Sequence, residues 1–233
     1  SRVGQQFLDY SQESFGQRVM YLEGNLNYDR TFNDHKIGGM FLYNMRNRLV
    51  SLSGSVIGSI PYRNQSLAGR INYGFRDKYL VEVNAGYTGS ENFEKGQKFG
   101  LFPSASAGWV ISNEEFFEPL KKTFSLLKIR GSYGVVGNDN IGDAQNRFPY
   151  LTQIGDGSST GFGLNGSLVG GKTERVMGVE NLTWERSYKT GIGLEIGLWN
   201  KLNLIFDGFA ERRKNILIRR ESISSIAGYN SLF

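Results

Sequence analysis

The chain has 233 residues, of which 39% are hydrophobic and 21% charged, with a net charge of +5 and no cysteine. The basic residues are dispersed among acidic ones, which argues against a nucleic-acid-binding surface, and without cysteine there is neither a disulfide framework nor a cysteine metal site. No apolar run reaches about 18 residues, so no transmembrane helix is predicted, whereas 31 Gly, 16 Phe and 12 Tyr with only 4 Pro suit packed strands.

The first part of the chain alternates apolar and polar residues in segments 16–32, 35–48, 64–76 and 79–87. The fourth segment shows the pattern best, with one set of residues (Tyr79, Val81, Val83, Ala85, Tyr87) interleaved with another (Leu80, Glu82, Asn84, Gly86). Because side chains alternate across a strand, this predicts a sheet with one apolar face and one polar or small face. Asn33-Asp34 and Asp77-Lys78 predict tight turns.

The same alternation returns in segments 103–111, 126–136, 186–199 and 202–212. It stops between residues 113 and 124, where Asn113 is a predicted N-cap, acidic Glu114 and Glu115 follow, and Lys121 and Lys122 come near the end. This predicts one short helix. A stretch rich in Gly, Asn and Asp, 137–180, is predicted to be a long loop with room for short strands, and Asn200-Lys201 predicts a tight turn.

The connections also alternate in length. Short or compact links follow the first, third, fifth and seventh predicted strands, and long links follow the second, fourth and sixth. Outer-membrane barrels have this asymmetry, with short periplasmic turns and long extracellular loops. The predicted fold is therefore all-β, an antiparallel transmembrane β-barrel segment of about eight strands with one short periplasmic helix.

Residue types that often serve catalysis or bind metals have structural explanations here. The single histidine, His35, lies at a predicted turn, and a zinc site or a Ser-His-Asp triad lacks the other members it needs. Glu114, Glu115 and Glu118 fit a helix start better than an acid–base pair. Asp139, Asn140 and Asp143 fit an Asx-rich turn better than a calcium site, which stays the alternative. No enzymatic activity, cofactor or metal is predicted.

Aromatic residues in the predicted loops are the candidate ligand-binding residues, because sugar rings stack on aromatic faces. They are Phe93, Phe99, Phe102, Phe148, Tyr150 and Phe162. Loop packing or anchoring at the membrane interface is the alternative role of the same residues. The polar residues on the lumenal face (Glu82, Asn84, Lys128, Arg130, Lys189, Glu195) are interpreted as wall polarity, with substrate contact as the alternative.

Several strings carry a family resemblance. They are residues 61–70 (PYRNQSLAGR), 89–93 (GSENF), 102–109 (FPSASAGW), 127–134 (LKIRGSYG) running into Gly137-Asn138, 180–185 (ENLTWE) and 225–229 (SIAGY). In this order and spacing they resemble the C-terminal barrel region of SusC/RagA-type TonB-dependent outer-membrane transporters. The resemblance covers nearly the whole chain and is specific as a set.

The resemblance implies a 22-stranded barrel around an N-terminal plug domain in the outer membrane of a Gram-negative bacterium. It implies import of large nutrients, such as oligosaccharides or peptides, with energy delivered through TonB and a SusD-like surface lipoprotein as partner. Outer-membrane lipid is the expected surroundings. Residues 1–233 are expected to be part of the barrel domain without the plug, because about eight strands are too few for so wide a barrel.

Two other classes stay open from the sequence alone. One is a small outer-membrane barrel that acts as an enzyme or adhesin, and the other is a soluble β-sheet ligand-binding domain. The sequence that precedes residue 1 would discriminate, since a plug domain there favours the transporter and a signal peptide favours the small barrel.

Overall fold

The computed structural model describes residues 16–51, 56–140, 147–162 and 166–218. Ten strands account for most of them: β1 (Gly16–Phe32), β2 (His35–Ser51), β3 (Tyr62–Phe75), β4 (Tyr79–Ser90), β5 (Phe99–Val110), β6 (Phe124–Asn138), β7 (Gln153–Phe162), β8 (Ser167–Val176), β9 (Glu185–Leu198) and β10 (Leu202–Lys214). A single helical turn, Val56–Ser59, precedes β3. The string at 225–229 lies outside the described residues.

Eight of these strands form one antiparallel sheet in the order β1-β2-β3-β4-β5-β6-β9-β10. Every strand pairs with its neighbour along the chain, except that β6 pairs with β9 across the β7–β8 hairpin. The register keeps like residues together, since Ile71 lies opposite Val83 and Val83 opposite Ala105. A shift of one residue would move every apolar side chain to the other face, so the alternation fixes this register. The predicted all-β fold is confirmed.

Short turns gather at one end of the sheet and long connections at the other. Residues with φ near +50°, including Asn33 and Asn200, close two of the tight turns. At the turn end, neighbouring turns are also tied together, because Arg76 donates to Asp34 (2.7 Å) and Lys36 pairs with Asp77 (2.7 Å). We call the two ends of the sheet the turn end and the loop end.

A short helix lies within the predicted segment 113–124, but it is a 3₁₀ helix and the prediction of Asn113 as its N-cap is wrong. Two 3₁₀ helices, Ile111–Asn113 and Glu115–Leu120, occupy this segment. Asn113 ends the first of them, and its side-chain amide donates to the carbonyl of Asp77 (2.9 Å) instead of capping a helix. Pro119 lies inside the second and has no N–H for an α-helical hydrogen bond, which explains why the acidic and basic residues here do not begin and end an α-helix.

The predicted loop over 137–180 overlaps the end of β6 and, in its described residues, carries a two-stranded sheet of its own. Strands β7 and β8 pair antiparallel with each other and with no strand of the main sheet. A loop of this length needs internal hydrogen bonding for its backbone groups, and the hairpin supplies it. In the described parts of the chain, no helix is both long and apolar enough to cross a membrane.

The main sheet has almost no hydrophobic core of its own. Among the described residues, the buried hydrophobic side chains are Phe93, Val110, Phe117, Leu182 and Trp184, all at or near the ends of strands. Large apolar side chains in the middle of the strands stay uncovered, for example Leu26, Ile71 and Val83. The sheet therefore has an apolar face that no other described element covers.

Candidate functional site

The uncovered apolar face runs across neighbouring strands at the same height. Tyr73, Val81 and Ala107 form one row in register, and Ile71, Val83 and Ala105 form the next. Val83 keeps 50% of its surface exposed although it lies in the middle of its strand. A contiguous exposed apolar surface of this extent indicates contact with another apolar phase.

Aromatic rings border this face at the turn end. His35 contacts Phe75 (centroids 4.9 Å apart), Phe75 stacks on Tyr79 (6.5 Å), and Tyr79 stacks on Trp109 (6.4 Å). At the loop end Tyr87 stacks on Phe99 (5.1 Å). The eight residue steps from Tyr79 to Tyr87 span about 26 Å along the strand, which matches the apolar band of about 25 Å between the aromatic girdles of a membrane barrel.

Glu114 holds the turn-end girdle in place. Its carboxylate accepts hydrogen bonds from the Tyr79 hydroxyl (2.7 Å), the Lys78 ammonium (3.0 Å) and the Trp109 indole N–H (3.1 Å). These hydrogen bonds lower the pKa of Glu114 below its ordinary value, and the one from Tyr79 has the largest effect. The side chain is thus neither a helix-dipole partner nor an acid–base group but an anchor for two interfacial rings.

The opposite face of the same strands carries hydrogen-bonded polar side chains. Arg70 donates to Asn84 (2.7 Å), Asn84 donates to Glu82 (2.9 Å), and Ser66 donates to Thr88 (3.0 Å). The first and third of these hydrogen bonds join β3 to β4, and the second lies along β4. The polar residues predicted to face the lumen therefore share one face, as the alternation requires.

Charged residues on β6, β9 and β10 extend this polar face. Glu195 lies between Lys128 (3.4 Å) and Arg130 (3.2 Å), and Arg130 also pairs with Asp207. Lys128, Arg130 and Asp207 line a concave cleft of about 580 Å³ together with small residues such as Ser106 and Ser132. In this cleft each charge has a partner of opposite sign, so the cleft is polar without a strong excess of either charge.

The predicted ligand-binding aromatics divide into separate groups at the loop end. Phe93 is fully buried and packs against Trp184 (5.0 Å), and Phe102 contacts the same indole edge-on (5.1 Å). The ring of Phe102 fills the space that a side chain would need at Gly137. Phe99 instead lies on the outer face, stacked on Tyr87.

Phe148 and Tyr150 form a second loop cluster, with centroids 6.0 Å apart. The Arg147 guanidinium lies between two rings, 3.6 Å from the centroid of Tyr62 and 4.7 Å from that of Phe148. Arg147 is only 5% exposed, and this burial lowers the pKa of its side chain. Phe162 is the last residue of β7, away from both clusters in sequence. The ligand-binding role of all six residues stays a prediction.

The oxygen-rich loop is held by amides. Asp139 accepts from Asn64 (2.9 Å), its carbonyl accepts from Asn92 (3.0 Å), and the Asn140 N–H donates to the Asn138 side chain (3.0 Å), which is an Asx turn. Asp143 lies outside the described residues. No group of three or more His, Cys, Asp or Glu side chains within the described segments could hold a metal ion.

Sequence reasoning missed two residues that organise the loop end, Arg147 and Trp184. Trp184 stood within the string at 180–185, but nothing in that string pairs it with Phe93, which lies 91 positions earlier. Arg147 is followed directly by an aromatic residue, yet its contact with Tyr62 depends on a loop crossing that no local pattern encodes. His35, by contrast, begins β2 directly after its turn and shares a hydrogen bond with the Tyr73 hydroxyl (2.7 Å).

An antiparallel sheet that is apolar outside, polar inside, ringed by aromatics and split into a turn end and a loop end is a segment of an outer-membrane β-barrel wall. No protein-family model matches the chain. It is 30% identical over 227 residues to TonB-dependent receptor P3 of Formosa agariphila, which covers 94% of this chain and 22% of that protein. It is 28% identical over 191 residues to TonB-dependent receptor SusC of Bacteroides thetaiotaomicron, covering 82% and 17%.

The fold agrees with these relatives. The structure of the RagAB peptide transporter matches with a TM-score of 0.71 at 18% sequence identity, over 93% of this chain and 26% of that one. The chain spans about a fifth of the length of the curated relatives it matches. The chain is thus similar to SusC/RagA-type TonB-dependent receptors over most of its length, as the sequence strings predicted, and TonB-dependent receptors are outer-membrane proteins of Gram-negative bacteria.

Proposed function

We propose that this chain forms part of the barrel wall and the extracellular loops of a TonB-dependent importer of large nutrients such as oligosaccharides or peptides. The observation that carries the proposal is the opposition of two faces on the same strands. Val83 and its neighbours meet an apolar phase, while Glu82 and Asn84, one residue away on either side, belong to a hydrogen-bonded polar surface. Such a wall separates lipid from a solvated path.

The partners follow from the same arrangement. The loop end, with its packed clusters around Trp184 and Tyr62, is the surface where a SusD-like lipoprotein would contact the barrel. Lipid would surround the apolar band. TonB would act through a plug domain elsewhere in the full protein, since residues 1–233 are all proposed to belong to the barrel domain. The similarity in fold to a transporter of peptides supports the peptide class, and the oligosaccharide class follows from the family resemblance of the sequence strings.

No chemistry on the substrate is part of this proposal. The wall would provide a path and hold loops in place, and the polar side chains on its inner face are engaged with one another. The relatives are receptors and a transporter, which supports transport without catalysis.

Growth of a strain lacking the full-length receptor would test the function. We expect it to lose growth on, and uptake of, at least one defined oligosaccharide or peptide class, and to recover both when the unmodified receptor is restored. A protonophore should stop uptake by the restored strain without removing binding at the cell surface, because import needs energy and capture does not. Unchanged growth and uptake on every oligosaccharide and peptide tested would contradict the proposal.

A further inference from the structure

Two arginines share one aromatic ring at the loop end of the polar face. Arg48 lies opposite Tyr62 in the β2–β3 register, on the same face as Arg70 and Asn72. Its guanidinium carbon is 5.6 Å from the centroid of the Tyr62 ring, and that of Arg147 is 3.6 Å away from the same centroid. The two guanidinium groups are therefore within about 9 Å of each other, near the distance over which salt at physiological concentration screens charge.

Among the described residues these two cations have no salt-bridge partner, whereas several other cations of the polar face do. Lys128 and Arg130 pair with Glu195, and Lys36 pairs with Asp77. In the described part of the chain no carboxylate lies within 4.0 Å of Arg48 or Arg147. Two acidic groups of the loop end have other contacts, since Asp139 accepts from Asn64, and Glu91, which also acts on Arg147 electrostatically, lies 3.6 Å from Arg63.

Hydrogen bonding at the two guanidinium groups is also incomplete. Arg147 donates to the carbonyls of Ile60 and Pro61, but its Nε and the Nε of Arg48 are buried without an acceptor. A buried donor without a partner is costly, and more so when it is charged. The Tyr62 ring stabilises both cations through its face, and its side chain also hydrogen-bonds to Arg147, but neither contact supplies an anion. Within the described residues the pair therefore has no carboxylate partner.

We propose that Arg48 and Arg147 recognise a carboxylate on the transported nutrient at the loop-end mouth of the polar face. This inference rests on the proposed import function and deepens it by naming the chemistry of the substrate. A planar carboxylate accepts two parallel N–H bonds from a guanidinium. Arg147 is held between Tyr62 and Phe148, whereas the Nε of Arg48 lies near Tyr62 without a hydrogen-bond acceptor, which a ligand carboxylate would supply.

Carboxylates occur both in peptides and in oligosaccharides of uronic acids, so the test has two arms. Binding to the purified full-length receptor would be measured for tetragalacturonate against its methyl ester, and for a short peptide with free carboxylates against its amidated form. We expect at least one acidic probe to bind about tenfold more tightly than its neutral match, because the neutral match loses one charge-assisted hydrogen bond and a loss of that kind lowers affinity by about that factor. The arm that shows the preference identifies the source.

Arg48→Gln is the decisive variant, because Arg48 does not hold the loop as Arg147 does. It should lower the preference for the acidic probe about tenfold and leave binding of the neutral probe unchanged. Arg63→Gln is the matched control, since Arg63 is at the same height on the opposite face, next to Tyr62 in sequence. It should leave the preference intact.

The outcomes separate this inference from the import function. Equal binding of acidic and neutral probes, no binding of any of the four, or a preference that survives in Arg48→Gln would overturn it. Receptor-dependent uptake of only neutral nutrients would also overturn it while the import function stands. Equal loss of acidic and neutral binding in Arg48→Gln, with the barrel still folded by circular dichroism, would assign the pair a purely structural role and reject carboxylate recognition.

Discussion

Neighbouring residues of one strand lie on opposite faces of the sheet, one apolar and one polar. Val83 occupies the middle of β4, half-exposed among Ile71 and Ala105, on the face proposed to contact lipid. Glu82 precedes it on the polar face and lies opposite Ser106. The alternation in the sequence was enough to assign both residues to their faces, because strand geometry leaves no other choice.

Val83→Arg should weaken folding of the full receptor into lipid bilayers by about 2–4 kcal/mol, the cost of an arginine at the middle of the membrane. The control is Ser106→Arg, which places the same side chain at the same height on the polar face, near Glu82. That variant should fold almost as well as the unmodified receptor. Equal folding of the two variants would show that Val83 does not meet lipid.

Glu114→Gln should make stability less dependent on pH. The folded state holds the pKa of Glu114 below its ordinary value of 4.5, so the charged carboxylate stabilises the fold above that pH and this contribution is lost as the pH falls below it. The unmodified receptor should therefore unfold at higher temperature than the variant at pH 7, and the difference should shrink toward pH 4.

Thermal unfolding in detergent at both pH values would measure this difference. Glu118→Gln is the control, because that carboxylate is exposed and contacts only Lys121 among the described residues. It should change the unfolding temperature little at either pH. A difference between Glu114→Gln and the unmodified receptor that stays constant from pH 7 to pH 4 would rule out a role for the charge.

At the scale of elements, the sequence was informative wherever alternation persists. The first strand, predicted over 16–32, forms over the same residues. Strand β5 begins at Phe99 and not at Pro103, because β6 pairs with β5 only from Ser104 onward and a proline is tolerated where one edge of a strand is open. The short helix was predicted in the right segment but not its 3₁₀ type, because Pro119 cannot donate an α-helical hydrogen bond, nor its cap, because Asn113 donates to Asp77 instead.

The loop clusters could not be predicted, because they depend on contacts between distant parts of the chain. Phe93 packs on Trp184, and Arg147 reaches Tyr62. Composition indicated that aromatic residues in the loops were important, but it could not distinguish a buried ring such as Phe93 from an exposed one such as Phe99. Whether a loop aromatic residue is buried depends on which distant loops meet, and the local periodicity of the sequence does not encode that.

Phe93→Ala should loosen the loop end without unfolding the wall. Removing a fully buried phenylalanine costs about 3–5 kcal/mol, and here the loss falls on a small cluster with Trp184 and Leu182. Amide hydrogen exchange of residues 91–98 should become at least about tenfold faster, while the middle of β4 stays protected.

Phe99→Ala provides the comparison, since Phe99 is 43% exposed on the outer face and packs only on one side, against Tyr87. In Phe99→Ala the amide hydrogen exchange of residues 91–98 should increase much less than it does in Phe93→Ala. Identical exchange in the two variants would mean that the Phe93 cluster does not hold the loop.

For the whole molecule, the asymmetry of the connections fixes an orientation in the membrane. Turns held by Arg76–Asp34 and Lys78–Glu114 pairs occupy one end, and long loops with their own packed clusters occupy the other. If the turn end faces the periplasm, the polar face leads inward from a structured mouth. Proposed substrate recognition by Arg48 and Arg147 then comes before passage along the paired charges around Glu195.

The absence of cysteine from the chain makes this orientation directly testable. Lys95 and Lys122 are both exposed lysines, one at the loop end and one at the turn end. In intact cells, a membrane-impermeant thiol reagent should label Lys95→Cys in the full receptor, because extracellular loops are in contact with the medium. Lys122→Cys should react only after the outer membrane is permeabilised, with the unmodified receptor giving the background. If Lys122→Cys is labelled in intact cells as fast as Lys95→Cys, the proposed orientation is wrong. The proposal that recognition at the loop end comes before passage along the polar face then falls with it.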